Sequence, residues 1–206
     1  LLNHPEFSTF DLSSLRTGMI SGTYCPPELV KKIIEKMSIP ELTTAYGVTE
    51  GGLLTQTGWN EAKEKSINTV GQPLDGTELK IINPENGETL PPGEKGEICA
   101  RSPVITKGYY NMDRETSEII DQDGWFHTGD LGVRDEEGYY RITGRKRNMI
   151  IRGGENIYSL EVEKFLLAYP GVVDVRVVGV PSRRLGEEVY AFIKTNNGSI
   201  CNPQSI

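Results

Sequence analysis

An acidic residue, a basic cluster and a Gly-Gly pair follow one another between residues 124 and 163. Asp130 lies in a Thr-Gly-Asp turn, where its carboxylate can accept two hydrogen bonds from a vicinal diol. Arg145 follows a second Thr-Gly turn and offers a planar guanidinium group to phosphate or ribose oxygens. This order predicts a nucleotide site in which one residue binds the sugar and another binds charge.

Each of these residues also has a plainer explanation. An Asp after Gly at a strand end commonly serves only as a turn residue, and the basic run at 145–147 commonly forms a solvated face. The segment DQDG at 121–124 resembles half a calcium loop, but its first ligand position would be Ile119, which cannot ligate, so a hairpin is favoured. His127 has no Ser or Cys nucleophile paired with it in the sequence, and a structural role is expected.

Taken together and in order, the phrases of this region resemble the adenylate-forming superfamily, which comprises acyl-CoA synthetases, luciferases and peptide-synthetase adenylation domains. Three further segments carry the resemblance. SGTYCPPEL at 21–29 is similar to the family's adenine-binding turn, TTAYGVTEGG at 43–52 to its Tyr-Gly-x-Thr-Glu motif, and VGQPLDGTELKI at 70–81 to the start of its β-barrel subdomain. DLSSLRTG, MIIRGGENIY and VVGVP resemble phrases of bacterial medium-chain fatty acyl-CoA ligases.

The resemblance implies an adenine site built from two segments. Gly22 and Thr23 would line one side of the base, although relatives commonly read Gly-Ala-Pro where this chain has Gly22, Thr23 and Tyr24. Tyr46 would offer its ring for stacking, and Gly47 would remove a side chain that could block the base.

The resemblance also implies roles in ATP chemistry. The Thr49 hydroxyl would bond an α-phosphate oxygen, and the Glu50 carboxylate would bind Mg²⁺ directly or through water, which makes this pair the expected catalytic residues. Asp130, Ile142 and Arg145 would contact ATP or AMP.

A second group of residues would serve transfer of the acyl group to CoA. Arg147 matches the family's hinge position, where Asp or Lys is usual, and an Arg can absorb the same dihedral change. Gly154 aligns with the loop after the hinge and would contact the pantetheine arm of CoA. On chemistry alone, a simple β-turn is the preferred explanation of the Gly153-Gly154 pair, and only the resemblance of RGGENIY to the family's loop after the hinge assigns Gly154 to pantetheine.

The elements that position these residues follow from the apolar spacing. It predicts a helix from Pro26 to Met37, a short strand from Leu42 to Tyr46 and a loop or short helix at 58–67. Strand-like runs separated by turn signals from 70 to 145 predict a small antiparallel β-barrel or sandwich with one short helix at 113–120. A strand, helix, strand, strand order follows Arg147.

We therefore expect an α+β protein with a change of character near Arg147. Residues 1–145 form the C-terminal part of an AMP-binding domain, with an α/β remnant at 1–67 and the β-barrel subdomain at 68–145. The hinge lies at 146–147, and residues 148–206 form an incomplete, mobile C-terminal α+β domain.

Composition excludes several classes of function. The net charge of −7 and the pI of about 5.0 argue against a nucleic-acid binder, which needs a positive surface. Cys25, Cys99 and Cys201 are far apart and indicate neither a zinc site nor a disulfide framework, which fits a reducing cytoplasm. No apolar run is long enough for a transmembrane segment.

Two family motifs are missing from the sequence. There is no Ser/Thr/Gly-rich phosphate loop ending in Lys, and Lys194 does not match the family's adenylation lysine. We expect an internal fragment, inactive in isolation, of an ATP-dependent acyl-CoA synthetase that acts on a fatty acid. The alternatives are an adenylating enzyme that loads a carrier protein, and a non-catalytic nucleotide-binding or interaction module.

Overall fold

The computed structural model describes residue 2 and residues 4–196. They fall into two compact units: one holds the residues up to 128 together with 132–142, and the other holds 129–131 together with the residues from 143 onward. Each unit combines helices with antiparallel strand pairs, so the predicted α+β class is confirmed. The hinge at 146–147 stays a prediction.

The first unit begins with a four-stranded sheet of order β1-β2-β3-β4, and two helices lie between its strands in the sequence. Strands β1 and β2 are parallel, whereas β3 is antiparallel to both β2 and β4. The elements are β1 (Thr17–Ile20), α1 (Pro27–Met37), β2 (Glu41–Val48), β3 (Gly52–Gln56), α2 (Lys63–Asn68) and β4 (Gln72–Pro73).

Helix α1 matches its sequence prediction because both of its ends carry local signals. Pro27 occupies the first turn, where the missing N–H costs no hydrogen bond, and Ser38 ends the helix in the left-handed conformation at φ 54°. Val30 and Ile34 lie four residues apart on one face and are buried with Ile39 and Leu42. This helix thereby covers the sheet that carries the first group of candidate residues.

A second sheet of order β5-β6-β7-β8 follows. Its strands and the adjacent helix are β5 (Glu78–Ile82), β6 (Lys95–Arg101), α3 (Asp113–Ile119), β7 (Phe126–Arg134) and β8 (Tyr140–Arg145). Strands β5 and β8 are its two edges, so the described residues form an open sheet and not a closed barrel, the first of the two expected forms. A closed barrel needs pairing of the edge strands.

The two sheets of the first unit share one core. Its buried members come from both sheets: Tyr46, Leu54, Ile81, Ile98, Ala100, Phe126 and Tyr140. Backbone bonds also join them, because the Val70 N–H donates to the Tyr140 carbonyl at 2.8 Å and the Tyr140 N–H donates to the Gly71 carbonyl at 2.9 Å. A Cβ at Gly71 would lie 1.9 Å from the Gln56 carbonyl carbon, so only glycine allows this approach.

The second unit has a sheet of order β10-β9-β12-β11 and one helix. Its elements are β9 (Met149–Arg152), β10 (Glu155–Tyr158), α4 (Ser159–Leu167), β11 (Val172–Ser182) and β12 (Gly186–Thr195). Its core consists of Ile150, Leu166, Val175 and Val177. The predicted strand, helix, strand, strand order is confirmed, with β10 as an additional strand.

Among the described residues, no helix is both long enough and apolar enough to span a bilayer. Cys25 and Cys99 are free thiols, and Cys201 lies outside the described residues.

Candidate functional site

The parallel pairing of β1 and β2 means that two candidate segments of the first unit both follow the carboxyl ends of adjacent strands. Ile20 is the last residue of β1 and the register partner of Thr44, and Gly22 lies two residues beyond the end of β1, in a bend. Carboxyl ends of adjacent parallel strands are a common place for ligands in α/β sheets. Gly22 has φ +88° and no atom within 4 Å of a hypothetical Cβ, and Thr23 is exposed.

Tyr46 and Gly47 are both tied to the hairpin of β2 and β3. Tyr46 belongs to the shared core and is only 8% exposed, which leaves a narrow part of the ring for contact with a base. The register shifts between Tyr46 and Gly47, and a Cβ on Gly47 would lie 2.1 Å from the Gly52 carbonyl oxygen. The hairpin backbone therefore requires this glycine whether or not a nucleotide binds.

Thr49 and Glu50 occupy the turn between β2 and β3. The Gly51 N–H closes the turn on the Val48 carbonyl at 3.1 Å. Thr49 is exposed and Glu50 is partly exposed, so their polar side chains project from the same turn where a ligand could reach them. This is the arrangement expected for a hydroxyl and a carboxylate that meet a phosphate and its cation.

The Glu50 carboxylate has a partner that no sequence pattern predicted. The Tyr109 hydroxyl donates a hydrogen bond of 2.6 Å to Glu50 Oε1. This bond and partial desolvation raise the pKa of Tyr109 above its usual value, so the phenol keeps its proton and remains the donor. Since 59 positions separate the two residues, no local pattern could have linked them.

Asp130 and Arg145 contact each other within the second unit. Arg145 Nε lies 2.8 Å from Asp130 Oδ1, and the Asp130 side chain is only 5% exposed while that of Arg145 is 52% exposed. The guanidinium group therefore holds an almost buried carboxylate at a fixed position. The sequence placed both residues in one site, but it assigned each to the nucleotide and did not predict this ion pair.

Two other predicted site residues lie near this pair in sequence. Ile142 belongs to β8 and packs partly buried against the core of the first unit. Arg147 is exposed and lies in a single 3₁₀ turn, Lys146–Asn148, which separates β8 from β9.

The Gly153-Gly154 pair forms the two-residue loop of the hairpin between β9 and β10. Arg152 and Glu155 are register partners, and the two glycines have φ +61° and +89°. A two-residue hairpin loop with both φ values positive is a type I′ turn, which strongly favours glycine. The simple turn explains both residues, while the open space around a hypothetical Gly154 Cβ also leaves room for a ligand.

His127 lies between two other polar side chains, those of Cys99 and Asp121. Its Nδ1 lies 3.6 Å from the sulfur of the fully buried Cys99, and its Nε2 lies 3.6 Å from Asp121 Oδ2. Asp121 also accepts backbone N–H groups of Asp123 and Trp125, which is the turn expected for this segment. In the described part of the chain, no group of three His, Cys, Asp or Glu side chains could hold a metal ion by itself.

Comparison with known proteins gives consistent results. Residues 1–110 match the family model described as AMP-binding enzyme. The whole chain is 46% identical to a putative acyl-CoA synthetase, YngI, of Bacillus subtilis and covers 38% of that protein. It is 41% identical over 207 aligned residues to the mitochondrial medium-chain acyl-CoA ligase ACSF2 of Bos taurus, of which it covers 34%. The chain thus spans little more than a third of the length of these relatives.

The fold is also similar to a solved structure. ATP-bound MatB from Rhodopseudomonas palustris superposes with a TM-score of 0.83 at 33% identity. The match covers 89% of this chain and 36% of MatB.

Proposed function

This chain belongs to the AMP-binding enzyme family, and from that premise we propose that it forms part of an ATP-dependent acyl-CoA synthetase. The enzyme would activate a carboxylate with ATP and then transfer the acyl group to CoA. The names of the two curated relatives support this choice over other activities of adenylating enzymes.

One observation carries the proposal. The Gly22 loop and the Thr49-Glu50 turn follow the carboxyl ends of the adjacent parallel strands β1 and β2, in a chain that resembles an acyl-CoA synthetase along its whole length. The backbone there is shaped by glycines, and the exposed groups are a hydroxyl and a carboxylate.

In the first half-reaction, a carboxylate oxygen of the acid attacks the α-phosphorus of ATP and pyrophosphate leaves. The Thr49 hydroxyl would donate a hydrogen bond to an α-phosphate oxygen and hold it in line for attack. Negative charge increases around that phosphorus in the transition state, so a donor fixed beforehand stabilises it.

The Glu50 carboxylate would bind the Mg²⁺ that accompanies ATP. Mg²⁺ commonly uses one or two protein carboxylates and completes its shell with water and substrate phosphates. A single, partly exposed carboxylate at a turn fits that requirement, and a cluster of acidic residues is not needed. The cation supplies neutralisation of phosphate charge.

Nucleoside binding would use two groups of the predicted residues. Gly22, Thr23 and Gly47 would border the base, with the exposed edge of Tyr46 against it. Asp130 would accept the ribose hydroxyls, positioned by its bond to Arg145, while Ile142 and Arg145 would add contacts to AMP.

In the second half-reaction, the CoA thiol attacks the acyl carbon and AMP leaves. Arg147 would be the hinge that permits a rearrangement between the two steps, and Gly154 would border the pantetheine path. The open space at Gly154 and the isolated 3₁₀ turn at Arg147 support these two roles.

We propose a medium-chain fatty acid as the substrate, on the strength of the similarity to the medium-chain ligase. The test uses the full-length parent protein with ATP, Mg²⁺ and a series of fatty acids. Pyrophosphate exchange that depends on the fatty acid, followed by acyl-CoA formation, is expected. Exchange with loading of a carrier protein but not of CoA would replace the proposed acceptor, and no exchange with any carboxylate would reject the proposal.

A further inference from the structure

The contact between Tyr109 and Glu50 is more than a chance meeting of two exposed side chains, because the Tyr109 segment is fastened to the Glu50 turn through the backbone. The Thr106 N–H donates to the Glu50 carbonyl oxygen at 2.6 Å. The Ile105 side chain also packs against this turn, since a Cβ on Gly51 would lie 2.7 Å from Ile105 Cδ1.

The other end of the segment is fastened to helix α3. The Tyr109 N–H donates to Thr116 Oγ1 at 2.9 Å, and a Cβ on Gly108 would lie 2.5 Å from Thr116 Cγ2. Gly108 has φ +142°, a conformation that glycine adopts without strain. Residues 106–109 thus form a strap with both ends bound, and the strap aims the Tyr109 hydroxyl at Glu50.

The geometry has a chemical consequence for the carboxylate. A phenol that donates to Oε1 restricts rotation of the Glu50 side chain and directs its second oxygen away from Tyr109. A flexible glutamate would lose rotamer freedom on binding a cation, and fixing the side chain beforehand removes part of that cost. Tyr109 is itself 37% exposed, so solvent reaches the contact and the effect should be moderate.

We propose that Tyr109 is a positioning residue that holds the Glu50 carboxylate ready for the divalent cation of the bound nucleotide. This inference rests on the proposed function of Glu50, but it assigns a role to a residue outside the motifs that suggested that function. Tyr109 touches neither the nucleotide nor the acid in this scheme and acts only through Glu50.

The experiment compares Tyr109→Phe with Tyr110→Phe in the full-length parent. The two variants remove the same hydroxyl from neighbouring positions, and Tyr110 is 91% exposed, so Tyr110→Phe is the matched control. Mn²⁺ binding in the presence of ATP is measured by electron paramagnetic resonance, and the Mg²⁺ dependence of pyrophosphate exchange is measured in parallel. Loss of the Tyr109 hydroxyl should raise the dissociation constant for Mn²⁺ by about five- to tenfold. The Mg²⁺ concentration that gives half-maximal pyrophosphate exchange should rise by the same factor.

A double-mutant cycle identifies the route of the effect. Tyr109→Phe should have little further effect in a Glu50→Gln background, because the hydroxyl acts through the carboxylate. Equal Mn²⁺ binding by wild type, Tyr109→Phe and Tyr110→Phe would overturn the inference. So would a fall in maximal rate without any shift in metal dependence, which indicates a purely structural role.

The result also separates the two proposals. Wild-type exchange with an unchanged metal dependence in Tyr109→Phe rejects the positioning role and leaves the synthetase intact. Absence of exchange and of ATP-dependent Mn²⁺ binding in the wild type rejects both.

Discussion

Replacing Asp130 by Asn tests whether its carboxylate binds ribose or only pairs with Arg145 from within strand β7. Asn keeps the shape and one acceptor oxygen but carries no charge. The Asp130 carboxylate is almost buried and lies 2.8 Å from Arg145 Nε, whereas the guanidinium group is half exposed. The loss of one charge-assisted hydrogen bond in such a mixed environment should cost about 1.5–3 kcal/mol.

The same free-energy cost applies to the binding of ATP if Asp130 accepts a hydrogen bond from a ribose hydroxyl. ATP binding by the full-length parent should weaken by about 10- to 150-fold, since about 1.4 kcal/mol corresponds to a factor of ten. A stability loss alone could mimic a small effect, so thermal unfolding must show that the variant is folded at the assay temperature.

The decisive assay compares ATP with 2′-deoxy-ATP and 3′-deoxy-ATP in pyrophosphate exchange. The wild type should use the analogues less well than ATP, because each analogue lacks a ribose hydroxyl that would donate to Asp130. Asp130→Asn should lose most of this discrimination, because the carboxylate that would bind the hydroxyl has already been replaced. Asp135→Asn is the matched control, since Asp135 caps the turn between β7 and β8 by accepting the Tyr139 N–H at 2.8 Å. If Asp130→Asn discriminates like the wild type, the ribose assignment is wrong and Asp130 is a strand residue neutralised by Arg145.

Three further predictions concern the transfer step and the isolated chain. In the full-length parent, Gly154→Leu should slow thioester formation from a preformed acyl-adenylate and leave pyrophosphate exchange unchanged. Gly124→Leu controls for backbone strain, because Gly124 has a similar φ of +78° and open space around it. If both variants slow thioester formation equally, the pantetheine path is rejected. Arg147→Pro should likewise impair only thioester formation, because proline fixes φ near −65° and restricts Lys146; a parallel loss of both half-reactions would contradict the hinge. The isolated 206-residue chain should form no acyl-CoA above a blank, as its sequence lacks the family's phosphate loop and adenylation lysine, and measurable turnover would refute this.

Local signals made much of the fold predictable. Helix α1 was expected from Pro26 to Met37 and is observed at Pro27–Met37, and the strand expected from Leu42 to Tyr46 lies within β2 (Glu41–Val48). In both elements, proline or turn residues mark the ends, and in α1 the apolar residues are regularly spaced. The α+β class followed from such segments.

The missed strands lack those signals. Strand β1 has only four residues and exists because β2 pairs beside it, while β3 begins at Gly52, which reads as a turn residue. Sheet closure is likewise a long-range property, and the spacing of hairpins could not distinguish an open four-stranded sheet from a barrel.

For the candidate site, the sequence supplied the residues but not their contacts. It placed Thr49 and Glu50 in one motif, yet the tyrosine that meets Glu50 comes from a segment 59 positions away. It assigned Gly47 and Gly154 to ligand contacts through the family resemblance, whereas the backbone of two hairpins already accounts for both glycines. Their binding roles remain proposals.

The central claim is that the parent protein joins a fatty acid to the α-phosphate of ATP before CoA enters. The most direct measurement supplies the full-length parent with a medium-chain fatty acid labelled with ¹⁸O in its carboxylate, together with ATP, Mg²⁺ and CoA, and locates the label by mass spectrometry. Attack on the α-phosphorus predicts one ¹⁸O atom in AMP for each acyl-CoA formed, and none in pyrophosphate. Label in inorganic phosphate with release of ADP, or acyl-CoA without label in AMP, would contradict adenylation.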